Sequence, residues 1–241
     1  MFQAYKKNKM PPQFKPLQSS FASLGLGTEV MYSFIIILLC LIIYFGTREL
    51  YNLSEHRGIK YFRFSFLFFA IALFFRSIIK FLLIFFNNQA IVFEFTEKGF
   101  VTATALLFMY FSSLALFYLA YSLVWDKWKS KLNREYFAHI SALLIAVITL
   151  LTNNVWVYII LNLLILIVGG ILIYITRKKR FGKINNFLYM IYFLLSAFWV
   201  LNMVDILVPS VFQPFQLLIY LLSILVFSLI LYKVLRKAGI N

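Results

Sequence analysis

The sequence predicts an all-α, polytopic membrane protein: a bundle of seven transmembrane helices, N-terminus outside and C-terminus in the cytosol. Three observations predict it. Hydrophobic residues make up 63% of the 241 and charged residues 13%, against roughly half and about a quarter in a soluble domain. That excess of apolar surface cannot be hidden in one soluble core, so lipid must solvate much of it. The apolar residues fall into seven long runs, and the basic residues gather in alternate loops between them.

The runs are Val30–Gly46, Phe64–Phe86, Val101–Val124, Tyr136–Leu151, Val155–Ile175, Ile184–Leu207 and Phe215–Tyr232. Each is near the roughly 20 residues that a helix needs to cross a bilayer. The strands of a membrane barrel would alternate apolar and polar with period two, whereas these runs are apolar on all sides. In lipid they must be helices, because every backbone group needs an internal partner. Thr152-Asn153-Asn154, polar turn formers between the fourth and fifth runs, predict a tight hairpin. Residues 1–28 hold Pro11, Pro12, Pro16, Gly25 and Gly27 and no apolar core segment, so they read as an extracytoplasmic tail rather than a cleavable signal. The transmembrane domain then covers 29–233 and a short cytosolic tail covers 234–241.

Orientation comes from charge. Arg48, Arg57, Lys60 and Arg63 follow the first run. Lys127, Lys129, Lys131 and Arg134 follow the third. Arg177, Lys178, Lys179, Arg180 and Lys183 follow the fifth, and Lys233, Arg236 and Lys237 the seventh. The loops between hold only Lys98. The positive-inside rule places the basic loops in the cytosol, against the opposing vote of Lys6, Lys7, Lys9 and Lys15 in the tail. The net charge of +15 (23 Lys+Arg against 8 Asp+Glu) therefore points to anionic inner-leaflet lipid and not to nucleic acid, since no soluble basic face exists to present. Lys127, Lys129, Arg177, Lys178, Lys179 and Arg180 are the expected headgroup contacts, with Trp125 and Trp128 as an interfacial belt.

Charge inside the spans carries the candidate site. Arg76 and Lys80 lie four apart on one face of the second helix, at mid-bilayer and in its outer half. A cation facing lipid there costs roughly 2.5–3.5 kcal/mol, so it must face the bundle interior. Ser65, Phe69 and Ala72 continue that stripe as a packing seam. Asp205 is the only acid placed within a span, near the outer end of the sixth helix, one turn beyond Asn202 and above Trp199. At about 1.5 Å per residue it reaches the height of Lys80. Asp205 is therefore expected to pair with Lys80 or Arg76, as a packing ion pair first and a ligand or ion site second. Glu94 and Glu97 read as outer-loop residues, Gly169-Gly170 as a close helix contact, and Ser112, Ser113, Ser223 and Ser228 as interhelical hydrogen-bonding groups. His56, His139 and the single Cys40 form no metal-ligand spacing and no nucleophile–base pair, so no metal, cofactor or enzymatic chemistry is expected.

Seven helices with these termini give a topology similar to that of the opsin-like and receptor-like seven-helix proteins. The seventh helix runs from Phe215-Gln216-Leu217-Leu218 to its first lysine, Lys233, at the cytosolic end, where an opsin carries a retinal lysine mid-helix; retinal is not implied. Tyr51–Arg76, with His56-Arg57-Gly58-Ile59-Lys60-Tyr61-Phe62-Arg63 leading into a Phe-rich helix, resembles small uncharacterised prokaryotic seven-helix membrane proteins, which supply no activity. No loop is long enough to fold alone. The expected role is therefore a sensor, receptor-like or scaffold protein of the cell membrane acting through a separate membrane or cytosolic protein. The alternative is a small transporter or channel using Arg76 and Lys80 for an anionic solute. Reporter tags fused at Met1 and Asn241 are expected on opposite sides of the membrane, and protease protection in right-side-out and inverted vesicles checks it.

Overall fold

The computed structural model describes residues 26–88, 94–124, 134–152, 154–177, 190, 192–202 and 216–238. These residues form seven helices and no strands: α1 Leu26–Ser54, α2 Arg57–Asn88, α3 Glu94–Val124, α4 Arg134–Thr152, α5 Val155–Arg177, α6 Tyr192–Asn202 and α7 Gln216–Ala238. Five of them (α1, α2, α3, α4 and α7) are long and apolar enough to cross a membrane, while α5 and α6 carry the shorter apolar stretches Trp156–Ile171 and Tyr192–Asn202. The N-terminal tail to Gly25, Lys127, Lys129, Lys178, Lys179, Arg180 and Asp205 lie outside the described residues, as do the side chains of Lys80 and Arg177.

The helices overrun the apolar windows at their ends. α1 has 29 residues, about 43 Å of helix against a hydrocarbon core of about 30 Å. Its start at Leu26 brings Glu29 into the first turn, where the unsatisfied N–H groups favour a carboxylate. α3 starts at Glu94, so Glu94 and Glu97 belong to its first two turns and not to a loop. Hydropathy marks the greasy window and misses polar turns that continue the same helix.

α1 shows how an all-apolar helix is sided. Tyr32, Ile36, Cys40, Ile43 and Thr47 recur at three- and four-residue spacing and are buried. Met31, Phe34, Leu38, Ile42 and Phe45 form the opposite stripe and are exposed. A soluble bundle would place polar residues there. Exposed Ile160 and Leu164 on α5 and Leu221 and Leu225 on α7 repeat the pattern. Such a belt has lipid as its natural solvent.

α1 and α2 turn back on each other through Glu55 and His56, with Glu55 in the left-handed region (φ 49°) and the Ser54 hydroxyl accepting the His56 N–H at 3.4 Å. α4 reaches α5 through residues 153–154, and the Asn154 side chain caps α5 by accepting the Trp156 N–H at 2.9 Å. α1 and α7 run parallel: Tyr32 stacks on Tyr220 at 4.1 Å near their starts, and Gly46 meets Leu235 near their ends. The core between α2, α6 and α7 is aromatic. Phe198 stands edge-on to Phe227 at 4.4 Å and to Phe69 at 6.3 Å, and Phe66 edge-on to Phe227 at 6.1 Å. Ser65, Phe69 and Ala72 are buried, as a packing seam requires.

α5 and α6 meet at Gly169. The Tyr192 hydroxyl crosses above this glycine to donate to the Leu166 carbonyl at 2.8 Å. A Cβ at Gly169 would lie 2.3 Å from that hydroxyl oxygen, whereas one at Gly170 would meet nothing. Gly169→Ala is expected to destabilise the bundle by about 1–3 kcal/mol, through displacement of Tyr192. Gly170→Ala is expected to be neutral or slightly stabilising, because alanine is the better helix former. Thermal unfolding of the two variants in detergent micelles checks the contrast.

Candidate functional site: a buried charged cluster joining three helices

Arg76 projects from α2 into the bundle and is 2% exposed. Burial of a guanidinium demands a counter-charge and hydrogen bonds. Glu29, 3% exposed on the first turn of α1, supplies the charge, with Oε1 at 3.5 Å from an Arg76 terminal nitrogen. Asn202, on the last described turn of α6, supplies the hydrogen bonds. Its Oδ1 accepts from the other Arg76 terminal nitrogen at 3.0 Å and from the Tyr32 hydroxyl at 3.0 Å. Its amide nitrogen donates to the Phe198 carbonyl at 2.9 Å. That last bond fixes the amide: turned over, it would set its NH₂ against the Arg76 N–H and its oxygen against the Phe198 carbonyl. One amide thus ties α1, α2 and α6.

The Tyr32 ring stacks on Tyr220 of α7, so a fourth helix closes the cluster. The indole N–H of Trp199, one turn below Asn202, is buried with no hydrogen-bond partner among the described residues. A second buried set joins α3 to α5. The Tyr158 hydroxyl donates to Ser112 at 2.7 Å, Ser113 donates to Asn162 Oδ1 at 2.9 Å, and Asn162 donates back to the Tyr158 carbonyl at 2.9 Å. Ser112 and Ser113 are interhelical, as their sequence context implies. Ser223 is buried with no hydrogen-bond partner among the described residues, and Ser228 is exposed.

The carboxylate beside Arg76 is Glu29. Sequence reasoning set Glu29 one residue outside the first span and looked to Asp205, which lies outside the described residues. Arg76 and Asn202 are brought together directly. Lys80 stands one turn further along α2. The signal that could have found Glu29 is its spacing from Tyr32 and Ile36, which continues the buried stripe of α1 into the first turn.

At the opposite end of the bundle, where α1 turns into α2, His139 of α4 bonds the Tyr110 and Tyr118 hydroxyls of α3, at 2.5 and 3.4 Å. Tyr61, Phe64 and Phe68 of α2 pack edge-on against Tyr118. Lys60 and Glu135 close that face with an ion pair at 3.2 Å, half exposed and so of small energetic weight. Among the described residues no three His, Cys, Asp or Glu side chains group as metal ligands. The chemistry that remains is the charged cluster: a neutral pair of opposite charges held between three helices, whose separation would strand a buried ion.

Glu29→Gln or Arg76→Gln alone is expected to destabilise the protein by about 2–4 kcal/mol, since each leaves the other charge buried and uncompensated. The double variant is expected to cost clearly less than the sum. Denaturant or thermal unfolding in micelles gives the double-mutant cycle, and additive losses would contradict the pair.

No protein-family model matches the chain, and no solved structure matches it. Among proteins of known sequence it is similar to an uncharacterised protein of Archaeoglobus fulgidus, with 33% identity over 236 residues that cover 95% of this chain and 97% of the archaeal one. Similarity of that extent over nearly the full length of both chains shows common descent. With its apolar, all-helical architecture, the chain belongs to one family of multi-helix membrane proteins with this archaeal relative.

Proposed function

We propose that the protein is a sensor or receptor-like component of the cell membrane, and that the Glu29–Arg76–Asn202 cluster is its two-state element. The observation that carries this reading is the neutralised arginine. An anion carrier needs an uncompensated cation, and Arg76 is already matched by Glu29. A buried pair bridging α1, α2 and α6 instead couples the positions of three helices, and any ligand or protonation event favouring the open pair shifts the bundle between states.

The N-terminus lies outside and the C-terminus inside in this reading. The alternation of basic loops supports it, and the parallel course of α1 and α7 is what an odd number of crossings requires. The cluster then sits toward the outer face. Lys127, Lys129 and the Arg177–Arg180 run meet anionic lipid or an acidic protein on the cytosolic face, and a separate protein carries the signal onward without catalysis by this chain.

The test uses spin labels at Val30 and Val200, exposed positions on α1 and α6, with buried Cys40 left in place. In liposomes Glu29→Gln, which mimics a protonated carboxylate, is expected to change the distance distribution, and Glu29→Asp to keep the parent one. Chloride and phosphate flux through the same liposomes is expected to match empty vesicles. Flux abolished by Arg76→Ala, or an unmoved distance in Glu29→Gln, would overturn the reading.

A further inference from the structure

The end of the bundle remote from the charged cluster holds a cation with no ion-pair partner among the described residues. Arg63 of α2 is half-buried against α1, with its guanidinium carbon 4.8 Å from the centre of the Tyr44 ring and 5.7 Å from that of Tyr51. Its Nε donates to the Tyr44 carbonyl at 3.1 Å. One nitrogen is thus used to fix the plane of the fork, and the two terminal nitrogens carry the remaining four N–H groups. Tyr44, Arg48 and Tyr51 recur at four- and three-residue spacing, so they share one face of α1. Arg63 touches both tyrosines, which places Arg48 beside it, and the two arginines repel each other electrostatically. Among the described residues the ion pairs are Lys60–Glu135 and Glu29–Arg76. The neighbouring acids Glu49 and Glu55 pair with neither arginine.

Two adjacent like charges, one of them immobilised and half-buried, raise the energy of the unliganded protein. An anion with several acceptor oxygens removes that cost, and a planar fork suits phosphate oxygens in bidentate fashion. Position agrees. Arg63 lies six residues, about 9 Å along the axis, inside the start of α2. That is the depth at which an arginine snorkels toward the headgroups. We propose that Arg48 and Arg63, framed by Tyr44 and Tyr51, form a binding site for a phosphate group at the α1–α2 end of the bundle. This goes beyond the sensor reading and does not depend on it, because the site shares no residue with the Glu29–Arg76–Asn202 cluster.

The experiment follows the thermal midpoint of the purified full chain in uncharged detergent micelles. It is titrated with dihexanoyl phosphatidylglycerol, with sodium phosphate, and with sodium chloride at matched ionic strength. Phosphatidylglycerol is expected to raise the midpoint saturably, with half-effect concentration increased about tenfold in Arg48→Gln and in Arg63→Lys. Arg236→Gln, which removes an exposed charge from α7 at the same end, is expected to respond as the parent does. Because Arg48 is exposed, its variant keeps the test valid if Arg63→Lys fails to fold. A rise with sodium phosphate that shows the same arginine dependence identifies a free anion as the source; a rise confined to the lipid identifies a headgroup. A rise that sodium chloride reproduces, equal weakening in Arg48→Gln and Arg236→Gln, or no rise at all overturns the site.

Discussion

A guanidinium held at 2% exposure between apolar helices is the constraint that organises this bundle. Arg76 cannot stay there uncompensated, so α1 must bring Glu29 and α6 must bring Asn202 to meet it. The helix ends are set accordingly. α1 begins early enough to carry a carboxylate in its first turn, and α6 keeps its amide at the same height. Apolar contact between helices in lipid gives little register by itself, because lipid tails are as apolar as leucine. A buried ion pair with a shared amide supplies that register, at the cost of taking two charges out of water.

Around this cluster the packing follows side-chain shape. Phenylalanines of α2, α6 and α7 interlock edge-to-face, and the α2–α3 seam pairs Phe68 and Phe75 with Phe111. The abundance of phenylalanine thus serves both the interior and the lipid belt, as exposed Phe34 and Phe45 show. Small residues act where backbones must approach or a side chain must cross, and Gly169 beneath the Tyr192 hydroxyl is the clearest instance.

The two ends of the bundle differ in chemistry. One holds a matched pair sealed from solvent. The other holds a half-exposed rim of arginines, tyrosines and the Lys60–Glu135 pair, with His139 bridging two tyrosine hydroxyls beneath it. In the proposed reading the first holds the helices in one of two arrangements and the second meets phosphate groups; α2 joins the two ends by contributing Arg76 to one and Lys60 and Arg63 to the other.

The sequence by itself determined the all-helical class, the apolar segments, the α4–α5 turn and the inward orientation of Arg76. Each of these follows from local hydropathy or from the cost of a charge in hydrocarbon, which is legible one segment at a time. It also pointed to the Ser65–Phe69–Ala72–Arg76 face, since helical periodicity is a local property. Only the tertiary structure decided that Glu29 answers Arg76 and that Asn202 bridges Arg76 to Tyr32. It alone set Tyr192 over Gly169 and Arg63 against Tyr44 and Tyr51. Those pairings join residues far apart in the chain, and hydropathy windows end before the polar turns that supply them. Which face of an all-apolar helix turns inward is set by its neighbours, because lipid and core accept the same side chains.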